Sequence, residues 1–213
     1  MKTIYCISGL GADERVFSHL HIEGHQINYL PWLLPRTKEP IHEYAKRMSE
    51  SIIAEKPILM GLSFGGMMSI EIAKLMPVEK VILISSIKST RELPVLMKWA
   101  GRLRINKLLP MRSYKVLEPL QNWCLGITTE EEKNLLHAYR RNISQVYMNW
   151  AINEILNWRN DWQPSKLFHI HGDDDKIFPI KKTYPTYVIP GGGHFMIMNK
   201  AEEVSSYINK ALS

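Results

Sequence analysis

The sequence PILMGLSFGGMMSIEIAKLM, residues 57–76, carries the strongest structural signal in the chain. Residues 57–61 form a continuous apolar run, which is typical of a strand covered on both faces of a parallel sheet. Residues 64–76 are apolar almost all round, so they predict a buried central helix. Ser63 lies between the two, with Gly61 and Gly65 on either side. The segment therefore predicts a strand, a sharp turn and a buried helix.

A serine at such a turn has a specific chemical use, because the G-x-S-x-G pattern exposes its hydroxyl above the sheet. Gly61 and Gly65 fit this interpretation, since side chains there would clash across the turn. The helix N-terminus behind Ser63 offers free N–H groups and a positive dipole end where an oxyanion would form. A plain glycine-rich turn with a capping serine is the alternative interpretation of the same residues.

Similar apolar runs recur along the chain and alternate with amphipathic helical patterns. Strands are predicted at residues 3–8, 26–30, 57–61, 80–85, 167–171 and 186–189. Helices are predicted at residues 42–55, 64–76 and 201–212, the last with Asn199 as a possible cap. Alternation of strand and helix indicates an α/β three-layer sandwich with right-handed crossovers.

Residues 86–163 interrupt this alternation. They contain no convincing strand, and they hold five of the six tryptophans. Their patterns are helical, as in the capping box that Thr129 and Glu132 can form. The length of 213 residues suits one domain, 1–213, with residues 86–163 as a helical insertion over the strand ends.

A serine nucleophile needs a base, and the base needs an orienting acid. The fifth predicted strand is followed by HGDDDKIFP, residues 171–179, and the sixth by GGGH, residues 191–194. Because the carboxyl ends of parallel strands meet at one edge, these loops can converge on Ser63. His194 is the only histidine in such a loop after the acid candidates, and Asp173, Asp174 and Asp175 all remain possible acids.

Together these motifs resemble the α/β-hydrolase superfamily, and within it the small serine esterases and lipases. GLSFGG matches the family's nucleophile turn, HGDDDKIFP its H-G-x-x-D-x-x-x-P acid loop, and GGGH its histidine loop. The resemblance implies Asp175 as the acid. It also implies that backbone N–H groups of Leu10 and Phe64 form the oxyanion hole, because the segment SGLG, residues 8–11, occupies the place of the oxyanion loop.

The resemblance further implies a mostly parallel sheet, a lid formed by residues 86–163, and no cofactor. Three departures from the family pattern refine this expectation. Ser8 stands where the family often has histidine, and the family's first two strands look absent, which predicts about six strands. Only nineteen positions separate Asp175 from His194, so little room remains for the usual helix between them.

The predicted function is a serine hydrolase acting on a carboxylic ester or thioester. Acyl transfer and carbon–carbon bond hydrolysis use the same triad and stay as alternatives. A ligand-binding protein that has the fold without catalysis is an alternative from another class, since fold alone never fixes function. Dehalogenase chemistry is disfavoured because the family's dehalogenases have aspartate where this chain has Ser63.

Histidine and cysteine patterns give little support for a metal. His169 and His171 point to the same face of a strand, as ligands would need to, and Asp173 follows them. No later ligand cluster completes a site, so we expect the two histidines to pack or hydrogen-bond locally and no metal to be bound. Cys6 and Cys124 are far apart and in no metal or redox spacing, which fits two thiols in a reducing compartment.

The net charge of +6 is concentrated in one segment. Residues 88–118 carry eight basic and two acidic side chains, a surplus equal to the net charge of the whole chain. This segment could attract an acidic carrier of the substrate, such as an acyl carrier protein, a coenzyme A thioester or an anionic membrane surface, or it could be a solvated face. Its basic positions are Lys88, Arg91, Lys98, Arg102, Arg104, Lys107, Arg112 and Lys115.

The remaining patterns exclude other classes of partner and location. No aromatic-interleaved basic motif points to nucleic acid, and no apolar run is long enough for a membrane span. The N-terminal residues lack the apolar stretch and cleavage site of a signal peptide, so we expect a cytoplasmic protein with a small-molecule ester or thioester substrate.

Overall fold

A computed structural model describes residues 2–103 and 114–213. Its strands are β1 (Lys2–Ile7), β2 (His25–Tyr29), β3 (Ile58–Leu62), β4 (Lys80–Ile84), β5 (Leu167–Gly172) and β6 (Tyr187–Ile189). They form one sheet in the order β2-β1-β3-β4-β5-β6, with every neighbouring pair parallel. All six predicted strands are confirmed, and the described sheet is wholly parallel.

Eight helices are described. They are α1 (Ile41–Ser49), α2 (Phe64–Ala73), α3 (Val95–Arg102), α4 (Tyr114–Leu125), α5 (Glu130–Asn142), α6 (Gln145–Asn157), α7 (Met196–Asn199) and α8 (Ala201–Leu212). The described part of residues 86–163 is helical and contains no strand, as predicted. Thr129 caps α5, and Glu132 completes the capping box. Between β5 and β6 there is only a short 3₁₀ turn, Ile180–Lys182, in agreement with the short spacing.

Two buried apolar clusters lie on opposite faces of the sheet and confirm the three layers. One cluster includes Tyr44 of α1 and Met67 of α2. The other includes Ile197 of α7 and Val204 of α8. Because both faces of the central strands are covered, β3 and β4 are buried along their whole length. In open α/β sheets of this kind, ligands usually bind at the carboxyl edge of the strands.

Helix α1 ends six residues earlier than its amphipathic pattern predicts. The N–H groups of Ile53 and Ala54 donate to the hydroxyl of Tyr5, each over 3.3 Å. A tertiary acceptor from β1 thus takes the place that the helix carbonyls would have filled.

The predicted capping role of Asn199 is wrong. Lys200 precedes the first residue of α8 and makes no side-chain cap. The Asn199 amide instead donates to the carbonyl oxygen of Gly126 over 3.1 Å. In the part of the chain that the structure describes, no helix is long and apolar enough to cross a membrane.

Candidate active site

Ser63 occupies a strained turn between β3 and α2. Its backbone has φ 52° and ψ −117°, a left-handed conformation that is costly for any residue other than glycine. The turn is so tight that a Cβ on Gly61 would overlap the backbone of Gly65, and a Cβ on Gly65 would overlap the carbonyl oxygen of Ile7. Only glycine fits at either position. The structure therefore has the geometry that the G-x-S-x-G pattern predicts.

A continuous hydrogen-bonded chain connects Ser63, His194 and Asp175. The Ser63 hydroxyl lies 2.8 Å from Nε2 of His194, and Nδ1 of the same ring lies 2.8 Å from Oδ2 of Asp175. Because an ionised carboxylate only accepts hydrogen bonds, the imidazole proton belongs on Nδ1. Nε2 is then free to accept the proton of the serine hydroxyl. The side chains of His194 and Asp175 are 7% and 0% exposed, so water hardly competes for these contacts.

Three consecutive aspartates follow β5, and only Asp175 points at His194. Asp173 accepts a hydrogen bond from the N–H of Gly191 over 2.7 Å. Asp174 forms an exposed ion pair with Lys176, with 2.7 Å between Oδ2 and Nζ. The structure thus brings together Ser63, His194 and Asp175, and it leaves the other two aspartates outside this chain of contacts.

The environment of Asp175 favours its ionised form. Burial by itself would raise the pKa of this carboxyl, but the charge and hydrogen bond of His194 outweigh burial, with help from His171 and the N–H of Phe178. The pKa therefore lies below its usual value. At neutral pH the carboxylate is charged and available to hold the His194 ring.

Both residues predicted as oxyanion donors lie beside Ser63. Phe64 begins α2, where the first N–H groups of a helix lack intrahelical acceptors. Leu10 lies in the loop after β1 and lines the same cavity as Ser63. Its neighbour Gly9 approaches so closely that a Cβ there would lie 3.6 Å from Cβ of Ser63. This placement suits two backbone donors, and the donor role itself stays a prediction.

Trp32 stabilises this loop, a role that no sequence motif indicated. Its indole N–H lies 3.0 Å from Oγ of Ser8 and 3.2 Å from the carbonyl oxygen of Gly9. The Ser8 hydroxyl in turn donates to the carbonyl oxygen of Ala12 over 2.7 Å. The indole also stacks on Phe64, with ring centroids 5.0 Å apart. The one sequence feature that points to this role is the position of Trp32 shortly after β2, at the carboxyl edge of the sheet.

A cavity of about 510 Å³ opens next to Ser63 and His194. Its size is typical of small-molecule sites. Much of its wall comes from the helical insertion, including the apolar side chains of Leu125, Leu136, Ile143, Met148, Ile152 and Ile155. A larger cavity of about 760 Å³ lies on the other side of the loop after β1, and neither Ser63 nor His194 is among its lining residues. The smaller cavity is therefore the one placed for chemistry at Ser63.

Residues 86–163, the helical insertion, contact the loop that carries His194 and the loop after β1. The N–H of Phe195, next to His194, donates to the carbonyl oxygen of Leu125 at the end of α4 over 2.8 Å. Ile143, between α5 and α6, packs against Gly11, where an added Cβ would lie 2.5 Å from Cδ1 of Ile143. The helices thus contact both the histidine loop and the predicted oxyanion loop. The role of residues 86–163 as a lid stays a prediction.

Solved structures match the whole length of this chain, although no protein-family model and no curated protein matches its sequence. A thermophilic esterase matches with a TM-score of 0.73 and 17% identity, over 100% of this chain and 90% of its own. An epoxide hydrolase from Bacillus megaterium matches with a TM-score of 0.71 and 15% identity, over 100% and 93%. A meta-cleavage product hydrolase from Pseudomonas fluorescens matches with a TM-score of 0.70 and 12% identity, over 100% and 90%.

The chain has the α/β-hydrolase fold. The three neighbours named above act on different bonds, so the fold by itself does not choose a reaction. The choice depends on the residues that this chain places at the carboxyl edge of its sheet.

Within this α/β-hydrolase fold, His169 and His171 bond to each other rather than presenting a metal site. Nε2 of His169 lies 3.1 Å from Nδ1 of His171, whose Nε2 lies 2.7 Å from the carbonyl oxygen of Phe178. No group of three or more potential metal ligands occurs among the described residues. Burial lowers the pKa of both histidines, so both are neutral at pH 7.

This buried pair should make stability depend on pH. The unfolded chain protonates both histidines below about pH 6.5, while the folded chain resists protonation until lower pH. The free energy of unfolding should therefore fall as pH decreases from 6.5, by up to about 1.4 kcal/mol per pH unit for each histidine. In urea unfolding at pH 7, 6 and 5, His169→Gln should flatten this slope. Substituting the exposed His42 by glutamine should not, and equal slopes for the two variants would contradict the prediction.

The basic segment is partly tied into the α/β-hydrolase fold. Nζ of Lys88 lies 2.8 Å from Oε1 of the buried Glu92, and it also donates to the carbonyl oxygen of Thr183. Lys88 is therefore not part of an open basic surface. Arg102 lies on α3, with its guanidinium over the ring of Trp99. Arg104, Lys107 and Arg112 lie outside the described residues, and recruitment of an acidic partner stays a prediction.

Proposed function

We propose that this protein is a serine hydrolase that cleaves a carboxylic ester or thioester. The observation that carries the proposal is the hydrogen-bonded chain from the strained Ser63 through His194 to the buried Asp175. Its order and geometry suit proton transfer from the serine hydroxyl to the imidazole. None of the proposed steps requires a cofactor.

In the first half of the reaction, Oγ of Ser63 attacks the substrate carbonyl carbon while its proton passes to Nε2 of His194. The Asp175 carboxylate stabilises the imidazolium that forms and keeps the ring oriented. The carbonyl oxygen becomes an oxyanion, which the N–H groups of Leu10 and Phe64 stabilise. When the carbon–oxygen or carbon–sulfur bond breaks, His194 returns the proton to the leaving alcohol or thiol, and an acyl-serine remains.

In the second half, His194 takes a proton from water, and the hydroxide oxygen attacks the acyl carbon of Ser63. The same oxyanion donors stabilise the second tetrahedral intermediate. Collapse of that intermediate returns the proton from His194 to Oγ of Ser63 and releases the carboxylic acid. The enzyme then has its starting protonation state.

A fluorophosphonate probe tests the proposal directly. It should phosphonylate Ser63, and peptide mass spectrometry should locate the adduct on residues 57–76. Turnover of short-chain esters separates a hydrolase from a ligand-binding protein that only shares the fold. No adduct and no turnover of any ester or thioester would contradict the proposal.

The apolar cavity predicts which esters are preferred. Each methylene of an acyl chain buried there contributes about 0.8 kcal/mol, or about four-fold in kcat/KM, until the cavity is filled. We therefore expect kcat/KM for p-nitrophenyl esters to rise from acetate to hexanoate. Steady-state kinetics across the series measures this trend.

Ile152→Trp provides a matched test of the same trend, because Ile152 lines the cavity on α6. The larger side chain should lower kcat/KM for the hexanoate while leaving that for the acetate close to the parent value. A flat series in the parent enzyme would mean that the cavity does not receive the acyl chain.

A further inference from the structure

A second histidine lies directly behind Asp175. His171 is the next-to-last residue of β5, and its side chain is 0% exposed. Its Nε2 lies 2.7 Å from the carbonyl oxygen of Phe178 and 3.5 Å from Oδ2 of Asp175. The oxygen of Asp175 that holds His194 is therefore also the one that faces His171.

The partners of His171 fix where its proton lies. The Phe178 carbonyl can only accept a hydrogen bond, so Nε2 of His171 carries the proton. Nδ1 of the neutral ring is then an acceptor, and Nε2 of His169 donates to it over 3.1 Å. His169 thus holds His171 in the tautomer that donates its Nε2–H to the carbonyl oxygen of Phe178.

The carboxylate of Asp175 is restrained on both oxygens. Oδ1 accepts from the backbone N–H groups of Ile177 and Phe178, each over 2.8 Å. Oδ2 accepts from Nδ1 of His194 and faces Nε2 of His171 on another side. Because the site is buried, each of these dipoles acts on the carboxylate with little screening by water.

The charged and titratable groups around His171 come from several elements. Asp175 and His194 face it from the acid and histidine loops, His169 from its own strand, and Lys88 from the segment after β4. Burial keeps the pKa of His171 below its usual value, with smaller lowering effects from His194 and Lys88, although Asp175 and the hydrogen bond to the Phe178 carbonyl oppose it. The ring is a neutral hydrogen-bond donor at the pH where the enzyme would work.

We propose that His171 is a positioning residue for the reaction, an inference that rests on the proposed function. Its Nε2–H fixes the carbonyl of Phe178, and the N–H of the same Phe178 holds Oδ1 of Asp175, which keeps the carboxylate in the orientation that receives His194. His169 keeps the proton of His171 on Nε2. His171 does not touch substrate, because it is fully buried and does not line the cavity. Its effect passes through Asp175.

Loss of the Nε2–H should have two consequences. The N–H dipole of His171, 3.5 Å from Oδ2, no longer offsets part of the carboxylate charge, so Asp175 stabilises protonated His194 more strongly and the acid limb of the kcat/KM profile moves to higher pH. The carboxylate also rotates more freely, so the base is less often aligned with Ser63. Misalignment of this kind lowers kcat and leaves substrate binding unchanged.

The experiment compares His171→Leu, which removes the donor, with His171→Gln, which keeps an N–H donor of similar reach. We expect His171→Leu to lower kcat by about 10–10²-fold at unchanged KM. Its acid limb should move up by about half to one pH unit. His171→Gln should restore most of both effects.

Ile170→Ala is the matched control, because Ile170 is equally buried in β5 but packs on the opposite face of the sheet. It should lower the melting temperature without moving the acid limb. An acid limb that moves equally in Ile170→Ala, or that stays in place in His171→Leu, would overturn the proposal.

A second readout separates this proposal from the proposed function. Titration of the His194 ring by NMR needs no turnover, and its midpoint should rise in His171→Leu even for an enzyme with no known substrate. Failure of Ser63 labelling together with the expected NMR shift would reject the hydrolase and keep the positioning role. Normal labelling of Ser63 without any shift of the His194 midpoint would keep the hydrolase and reject the positioning role.

Discussion

Replacing Ser63 by alanine is expected to lower kcat on an ester substrate by about 10⁶-fold, because removal of the nucleophile in a coupled triad costs about as much as removal of the whole triad. The oxyanion donors and the cavity remain in place and account for the residual rate. Single-turnover kinetics on the best p-nitrophenyl ester measures the effect.

The fold should survive this substitution. The Ser63 side chain makes no cap hydrogen bond to α2 and is partly exposed, so we expect the melting temperature to change by no more than about 2 °C. Ser205→Ala makes the same chemical change in α8, on the far face of the sheet, and should retain full activity. Activity above one per cent of the parent value in purified Ser63→Ala would reject Ser63 as nucleophile.

Asp175→Asn is expected to lower kcat by about 10⁴-fold, because an amide in this place can hold the imidazole in the wrong tautomer. The asparagine N–H would donate to Nδ1 of His194, and the proton would then sit on Nε2. A ring protonated at Nε2 cannot accept the proton of Ser63. Steady-state kinetics near neutral pH measures the loss.

The two neighbouring aspartates are matched controls, with expected losses of less than about ten-fold. In Asp173→Asn the amide oxygen can still accept from the N–H of Gly191. In Asp174→Asn only an exposed ion pair with Lys176 is lost, and such pairs contribute little. If Asp174→Asn lowers kcat more than Asp175→Asn does, the assignment of Asp175 as the acid is wrong.

The sheet and the site loops were predictable because their signals are local. A strand buried on both faces must be apolar throughout, and the six apolar runs gave all six strands. Glycine spacing around Ser63 reflects a turn too tight for a Cβ, which is why the turn was visible in the sequence. Parallel topology then brings the loops of Asp175 and His194 to the same edge.

The features that the sequence did not reveal depend on contacts between residues far apart in the chain. The amphipathic pattern of α1 continues to Ile52, but no local signal shows that the hydroxyl of Tyr5 would take the next N–H groups. Trp32 was missed for a similar reason, since its hydrogen bonds join loops after two different strands. The His169–His171 pair was visible as a motif, yet its contact with Asp175 depends on how the loop after β5 folds back.

The hydrogen bond between Leu125 and Phe195 has a consequence for redesign of the proposed hydrolase. Exchanging the helical insertion for a foreign one is an obvious route to new substrates, since these helices form much of the cavity wall. In this chain the same exchange would remove the support of His194, and with it the alignment of the base. Grafts that keep Leu125 and Gly126 as a fixed junction, and vary only the helices around them, would change selectivity and preserve the support of His194.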